Sequence, residues 1–96
     1  MTGRFYIDPA TGRPHIYGHS VVEEEVEDVL ARPMEDRAGR DGSRVALGTE
    51  AGRYLRVIYV PDPSPGSVFV VTAYELGEKA QKALRQRQKS SKRNKP

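Results

Sequence analysis

Two runs rich in β-branched and aromatic residues, Arg53–Val60 and Ser67–Tyr74, flank the breaker Asp62-Pro63-Ser64-Pro65-Gly66. Proline has no N–H to give a strand ladder, so the breaker is a loop and the runs on either side are two strands. The first alternates, with Leu55, Val57 and Tyr59 on one side and Tyr54, Arg56, Ile58 and Val60 on the other. The second is apolar on both sides, as in a strand at the centre of a sheet or one covered on both faces. A chain of 96 residues has room for one core, so every other element must pack around this pair.

Those other elements follow from local signals. Ser43–Thr49 reads as a strand, with Val45 and Leu47 facing one way and a turn at Glu50-Ala51-Gly52. A weaker strand, Glu35–Ala38, precedes the turn Gly39-Arg40-Asp41-Gly42. Ser20 with Glu23 three residues on has the form of a capping box. Val22, Val26, Val29 and Leu30 then recur at helical spacing, with Glu23, Glu24, Glu27 and Asp28 mostly on the wet side. Pro33 limits this helix to about Ala31. Arg4–Ile7 and Arg13–Tyr17 are short extended candidates around the turn-rich Asp8-Pro9-Ala10-Thr11-Gly12, as a hairpin or an irregular arm. Leu76, Ala80, Ala83 and Leu84 mark a second helix to about Lys89. Ser90–Pro96 has nothing apolar to bury and is expected to be a disordered basic tail. The expected architecture is a single α+β domain over residues 1–89. It has an antiparallel sheet of three to four strands and an N-terminal and a C-terminal helix packed on one of its faces.

Composition narrows the chemistry. There is no cysteine, which removes disulfides, thiolate catalysis and cysteine-based zinc sites. Two histidines without an acidic cluster of ligand spacing give no reason to expect a metal, and no glycine-rich nucleotide loop calls for a cofactor. With no apolar stretch of bilayer length and no secretory leader pattern, a soluble cytoplasmic protein without a membrane partner is expected. The net charge of +3 hides an asymmetry. Residues 1–78 hold eight Lys/Arg against thirteen Asp/Glu, a net of −5, while residues 79–96 hold eight Lys/Arg and no acid, a net of +8.

Three sets of residues carry possible chemistry. The basic C-terminal segment, with Lys79, Lys82 and Arg85 at its start, would attract phosphate backbones by releasing counterions. The same run also fits a merely solvated face, and it contains no aromatic residue for base stacking. Arg44, Arg53 and Arg56 lie on or beside neighbouring strands, where pairing would bring guanidinium forks together near Tyr54 or Tyr74 into a phosphate-binding surface. Surface ion pairing of each arginine is the competing reading. His15 and His19 are the only side chains whose unperturbed pKa, about 6.5, suits general acid–base work near neutrality. An imidazole packed on the helix start would look the same in sequence.

Several stretches together resemble the BrnT-type toxins. They are Gly18-His19-Ser20-Val21-Val22-Glu23-Glu24-Glu25-Val26, Val29-Leu30-Ala31-Arg32-Pro33, Arg44 through Gly48, Tyr54-Leu55-Arg56-Val57-Ile58-Tyr59, and Val70-Val71-Thr72-Ala73-Tyr74 ahead of a basic helix. The likeness spans about residues 15–88 and extends to a related small domain family of unknown function. His19 falls at the histidine of the family's Lys-His-Gly-Val segment, with Gly18 and Ser20 in place of the flanking Lys and Gly. Arg44 falls at the arginine of its Glu-Arg pair, behind Ser43 instead of the acid. Val71-Thr72-Ala73-Tyr74 takes the place of Ile-Ser-Ala-Arg, with Tyr74 where the family has a base, and the long basic helix ahead of the histidine is missing.

The resemblance implies a RelE-like fold and a metal-independent endoribonuclease of a toxin–antitoxin pair, neutralised by a partner antitoxin encoded beside it. On that expectation Arg44 and Arg56 hold the RNA phosphate backbone, His19 or Tyr74 lies nearest any proton transfer, and Arg53, Lys79, Lys82 and Arg85 add nucleic-acid contacts. The alternative is a non-catalytic module on the same fold that binds protein or nucleic acid. The oligomeric state is left open.

Overall fold

A computed structural model describes residues 2–63 and 66–93. In chain order the elements are β1 (Thr2–Phe5), β2 (Ile7–Asp8), β3 (Arg13–Pro14), a 3-10 turn (His15–His19), α1 (Glu23–Ala31), β4 (Glu35–Ala38), β5 (Arg44–Glu50), β6 (Arg53–Pro61), β7 (Ser67–Glu75) and α2 (Glu78–Arg93). Five strands form one sheet in the order β1-β7-β6-β5-β4, and β2 pairs with β3 in a separate two-stranded ribbon. β4 through β7 are antiparallel neighbours. β1 lies parallel to β7, from Thr2 opposite Ser67 to Phe5 opposite Val70. The α+β class therefore holds, but the sheet is mixed and has more strands than expected. The arm also divides differently. Its first part joins the main sheet, only Ile7–Asp8 and Arg13–Pro14 pair with each other, and residues 15–17 curl into the 3-10 turn instead of extending.

The two helices cover opposite faces of the sheet, which corrects the expectation of a one-sided arrangement. Val26, Val29 and Leu30 of α1 share a buried cluster with Ala46, Leu55, Val57, Tyr59, Val68, Val70 and Ala73. Leu84 and Ala80 of α2 pack instead with Leu47, Val45, Tyr54, Leu76 and Met34. Side chains alternate along a strand, so Ala46 and Leu47, or Tyr54 and Leu55, must point to opposite faces. The strands are apolar on both sides, and each side needs its own cover.

A bulge explains why β7 reads as apolar throughout. Ile58 pairs with Thr72 but Tyr59 pairs with Val70, leaving Val71 as the extra residue. The slip puts Val70 and Ala73, three apart, into the same buried cluster. It also leaves Val71 partly exposed on the strand's surface.

α1 starts two residues later than a Ser20 cap would place it. Ser20 takes a left-handed conformation (φ 59°) that ends the 3-10 turn, and its N–H donates to Tyr17 O at 3.0 Å. Val21 is fully buried, so the chain must dip into the core before the helix begins. Val22 becomes the N-cap, half exposed rather than part of the buried stripe. Glu25, not Glu23, reaches back to accept from the Val22 N–H at 3.1 Å. Glu23 instead accepts from the Tyr17 hydroxyl at 2.7 Å. At the other end of the chain, α2 runs to Arg93, so the expected tail falls on helix over 90–93 while 94–96 lie outside the described residues. No helix among the described residues is long and apolar enough to cross a membrane.

Each helix is also tied to the sheet by an arginine–carboxylate pair. Arg53 on β6 donates through Nη2 to both oxygens of Glu25 on α1, at 2.7 and 2.6 Å. Arg87 on α2 donates through Nε (2.7 Å) and Nη2 (3.1 Å) to Glu35 on β4, which also accepts from Arg37. The hydrogen bond from Arg53 holds the Glu25 carboxyl below its ordinary 4.5, and that from Arg87, with Arg37 adding, does the same for Glu35. Because both values are depressed in the folded chain, the stabilisation is complete above the unfolded value near 4.5 and is lost as pH falls through the folded one. Thermal melts taken downward from pH 4.5 should therefore show a falling Tm. The fall should be shallower in the Glu25→Gln/Glu35→Gln double variant, and equal slopes would show that these pairs carry no pH-dependent stability.

Gly48 is where α1 comes closest to β5. A Cβ there would lie 3.1 Å from Val29 Cγ1 and 3.5 Å from its Cγ2. Val29 is buried and, being β-branched, has little rotamer freedom to yield. Gly48→Ala should cost about 1–3 kcal/mol in denaturant unfolding, despite alanine's advantage over glycine in a regular strand. A midpoint at or above the parent's would show that α1 can move away at no cost.

Candidate functional site

Past Phe5 the outer edge of β7 has no strand partner among the described residues, and the 3-10 turn packs there instead. This places His15 and His19, at the two ends of the turn, beside Val71–Glu75. Four rings follow one another along this edge. Tyr6 and His15 have centroids 6.0 Å apart, His15 and His19 meet edge to face at 5.2 Å, and His19 and Tyr74 are 5.9 Å apart. Together with Val71, Thr72 and Glu75 they line an open cleft of about 660 Å³. Asp8 Oδ2 lies 3.6 Å from His15 Nδ1, so the first imidazole has a carboxylate neighbour.

Tyr74 also borders a second cleft, of about 380 Å³, on the sheet face that carries α2. Its floor is Val45, Leu47 and Ile58, and its cations are Arg37, Arg56 and Arg87. Arg56 stands opposite both Leu47 and Tyr74 in the ladder. Its Nη1 donates to the Tyr74 hydroxyl at 3.2 Å, and its Cζ lies 5.7 Å from the Tyr74 ring centroid. Its Nε is buried and, among the described residues, has no hydrogen-bond partner. Buried donors are nearly always satisfied in folded proteins, so an orphaned N–H on a residue that lines a cleft is a specific feature of this site.

Of the residues expected to form one site, His19, Tyr74 and Arg56 come together. Arg44 does not. β5 and β6 pair with Leu47 opposite Arg56, and Arg44 is an odd number of residues from Leu47, so it points to the α1 face. There its Nε donates to Asp36 Oδ1 at 2.8 Å, and Asp36 in turn accepts from the Tyr59 hydroxyl at 2.5 Å. The hydrogen bond to Asp36, with Tyr59 assisting, holds the Arg44 guanidinium above its ordinary pKa, while burial and Asp36 push the Tyr59 hydroxyl up. Arg53 is likewise committed, to Glu25 with Glu75 at 3.8 Å. The three arginines thus do not converge: register puts Arg56 on the opposite face from Arg44 and Arg53, and those two lie at opposite ends of the β5–β6 pairing.

Lys79 and Lys82 are exposed on α2, and Arg85 lies over the Tyr54 ring at 5.8 Å. Sequence reasoning missed Tyr6, Arg37, Arg87 and Glu75 as site residues. Arg37 pairs opposite Val45, which fixes its face only once the β4–β5 register is known. Arg87 looks like any other base of a solvated helix until Glu35 is seen to hold it. No group of three or more metal-ligating side chains occurs among the described residues. No protein-family model, curated protein or solved structure matches the chain.

The two strand arginines should respond oppositely to removal. Arg44→Met strips a partner from Asp36 and from the buried Tyr59 hydroxyl it serves, and should lower Tm. Arg56→Met removes a buried donor that has no partner among the described residues and should leave Tm unchanged or slightly raised. Equal losses in the two variants would show that Arg56 serves the fold rather than the cleft.

Proposed function

We propose that this chain is a ribonuclease acting on single-stranded RNA, of the toxin kind that a cytoplasmic partner antitoxin holds in check. The observation that supports this reading is the Tyr74 ring, which lines both clefts and lies 5.9 Å from the His19 ring and 5.7 Å from Arg56 Cζ. One ring thereby brings together a platform for a base, a group for proton transfer and a cation for phosphate. The ring-lined cleft accepts an unstacked base, and a duplex does not offer its bases in that way. Lys79 and Lys82, on the helix that follows the Glu75 end of the cleft, add sequence-independent attraction to the backbone.

The cleavage uses the strand's own 2′-hydroxyl. Its oxygen bonds to phosphorus as the bond from phosphorus to the 5′-oxygen breaks, leaving a cyclic phosphate and a free 5′-hydroxyl. His19 takes the proton of the 2′-hydroxyl, and His15, its neighbour at 5.2 Å, supplies one to the departing oxygen. Arg56 offsets the charge that builds up on the phosphoryl oxygens, and Tyr74 is held by the Arg56 hydrogen bond while it supports the base. Most of the rate enhancement comes from positioning and positive charge rather than from a strong base.

Purified full-length chain incubated with labelled single-stranded RNA should give fragments ending in 2′,3′-cyclic phosphate and 5′-hydroxyl. His19→Ala and Arg56→Ala should each slow cleavage by about 100-fold or more, with Arg44→Ala much less affected. Binding without cleavage would return the non-catalytic binding module. RNA left both intact and unbound would end the nucleic-acid reading altogether.

A further inference from the structure

The arginine cleft is not needed for the proton transfers, and no sequence pattern singles it out. We infer that it is a second phosphate site, in which Arg37 and Arg87 take a phosphate ester of the same strand other than the one that reacts and Arg56 is shared between the two. The inference rests on the ribonuclease reading for its ligand's source but on separate observations for its chemistry. Three guanidinium groups, on β4, β6 and α2, border one depression whose lining contains no carboxylate. Glu35, outside that lining, accepts from both Arg37 and Arg87 and so fixes two of the three forks at the rim. One carboxylate against three guanidiniums leaves the cluster at about +2. Its third member, Arg56, has a buried Nε without a partner among the described residues.

The shape of this deficit selects the ligand. A carboxylate is satisfied by a single arginine fork, whereas a phosphate ester offers several oxygens in different directions and suits donors arriving from three elements. The floor of Val45, Leu47 and Ile58 excludes water from one side, which strengthens the attraction for an anion that reaches it. Tyr74 borders both clefts, so a strand with a base among the rings of Tyr6, His15, His19 and Tyr74 has its backbone led toward the arginines. A substrate would then need at least one phosphate beyond the reacting one, and very short RNA would be cut poorly.

The test uses full-length chain and a non-cleavable 2′-O-methyl RNA decamer, with affinity measured over a range of salt. Arg37→Gln/Arg87→Gln should weaken binding about tenfold or more and reduce the slope of log K against log salt by about 0.7 for each phosphate no longer neutralised. Arg32→Gln/Arg40→Gln, which removes equal charge from exposed positions outside the cleft, should leave both nearly unchanged. Arg37→Lys/Arg87→Lys should recover only part of the affinity, since it restores charge but not the fork. If the glutamine pair strands Glu35 and fails to fold, adding Glu35→Gln removes the stranded carboxylate and gives the same readout.

In a parallel arm, inorganic pyrophosphate at matched ionic strength should raise the Tm of the parent chain and not that of the glutamine variants. RNA binding that is lost equally in the cleft and control pairs, with no pyrophosphate effect, overturns the phosphate site and leaves the ribonuclease reading in place. A parent chain that ignores RNA ends the ribonuclease reading, and the pyrophosphate arm then decides the site alone. Stabilisation confined to the parent upholds a free-phosphate site, and its absence overturns it.

Discussion

β7 carries apolar residues on both faces, with Val68, Val70 and Ala73 buried on the α1 side and Phe69 half-buried on the other, and most of the architecture follows from that pattern. Its partner β6 and the next strand β5 carry apolar residues on both sides too, so one helix cannot cover the sheet. α1 and α2 take one face each, held by burial of Val26, Val29 and Leu30 on one side and Leu84 on the other. Burying such side chains is worth about 1.5–3 kcal/mol apiece, more than any one of the surface ion pairs beside them. The arginine–carboxylate pairs then set where each helix sits more than whether it binds. The bulge at Val71 belongs to the same solution. It keeps Ala73 in the core and returns Tyr74 to the α2 face, opposite Arg56. Without that slip, the residues from Ala73 onward would exchange faces relative to Val70, and the ring that joins the two clefts would be turned into the α1 side.

Charge is divided between the faces along the same lines. On the α1 side, Arg53 is matched by Glu25 and Arg44 by Asp36, one carboxylate to each guanidinium. On the α2 side, the only carboxylate bonded to the cleft arginines among the described residues is Glu35, and it serves two of them. Arginines on adjacent strands can therefore behave very differently. One set is neutralised pair by pair, and the other has one carboxylate for three guanidiniums.

The sequence carried the local half of this result. Strands β4 to β7 and both helices were legible because alternation, helical spacing and proline or glycine punctuation act within a few residues. Two kinds of feature were not. Ser20 and Glu23 have the residue types of a capping box, but burial of Val21 overrides the cap, and tertiary demand of that sort leaves no trace in the four residues concerned. The parallel docking of β1 on β7 joins segments more than sixty residues apart, and no local pattern specifies it. The separation of Arg44 from Arg56 lies between these cases. The parity of each residue within its own strand was readable, but their relative faces depend on a register that only the paired strands define. His19, Tyr74 and Arg56 were each noticed for their chemistry, yet what joins them is the open edge of β7 and the turn wrapped around it.

That arrangement has a cost, and the cost is informative. A buried guanidinium N–H without an acceptor is disfavoured by about 1–3 kcal/mol, and a chain selected only for folding could avoid it by placing methionine or leucine at position 56. The neighbours would permit this, since Leu47, Ile58 and Val45 already form an apolar floor. The hydrogen bond from Nη1 to Tyr74 returns only part of that loss, because a tyrosine bordering an open cleft can donate to and accept from water instead. Stability on its own therefore argues against arginine at this position. The group that would reverse the balance is an anion in the cleft, which offsets the guanidinium charge that the fold leaves uncompensated.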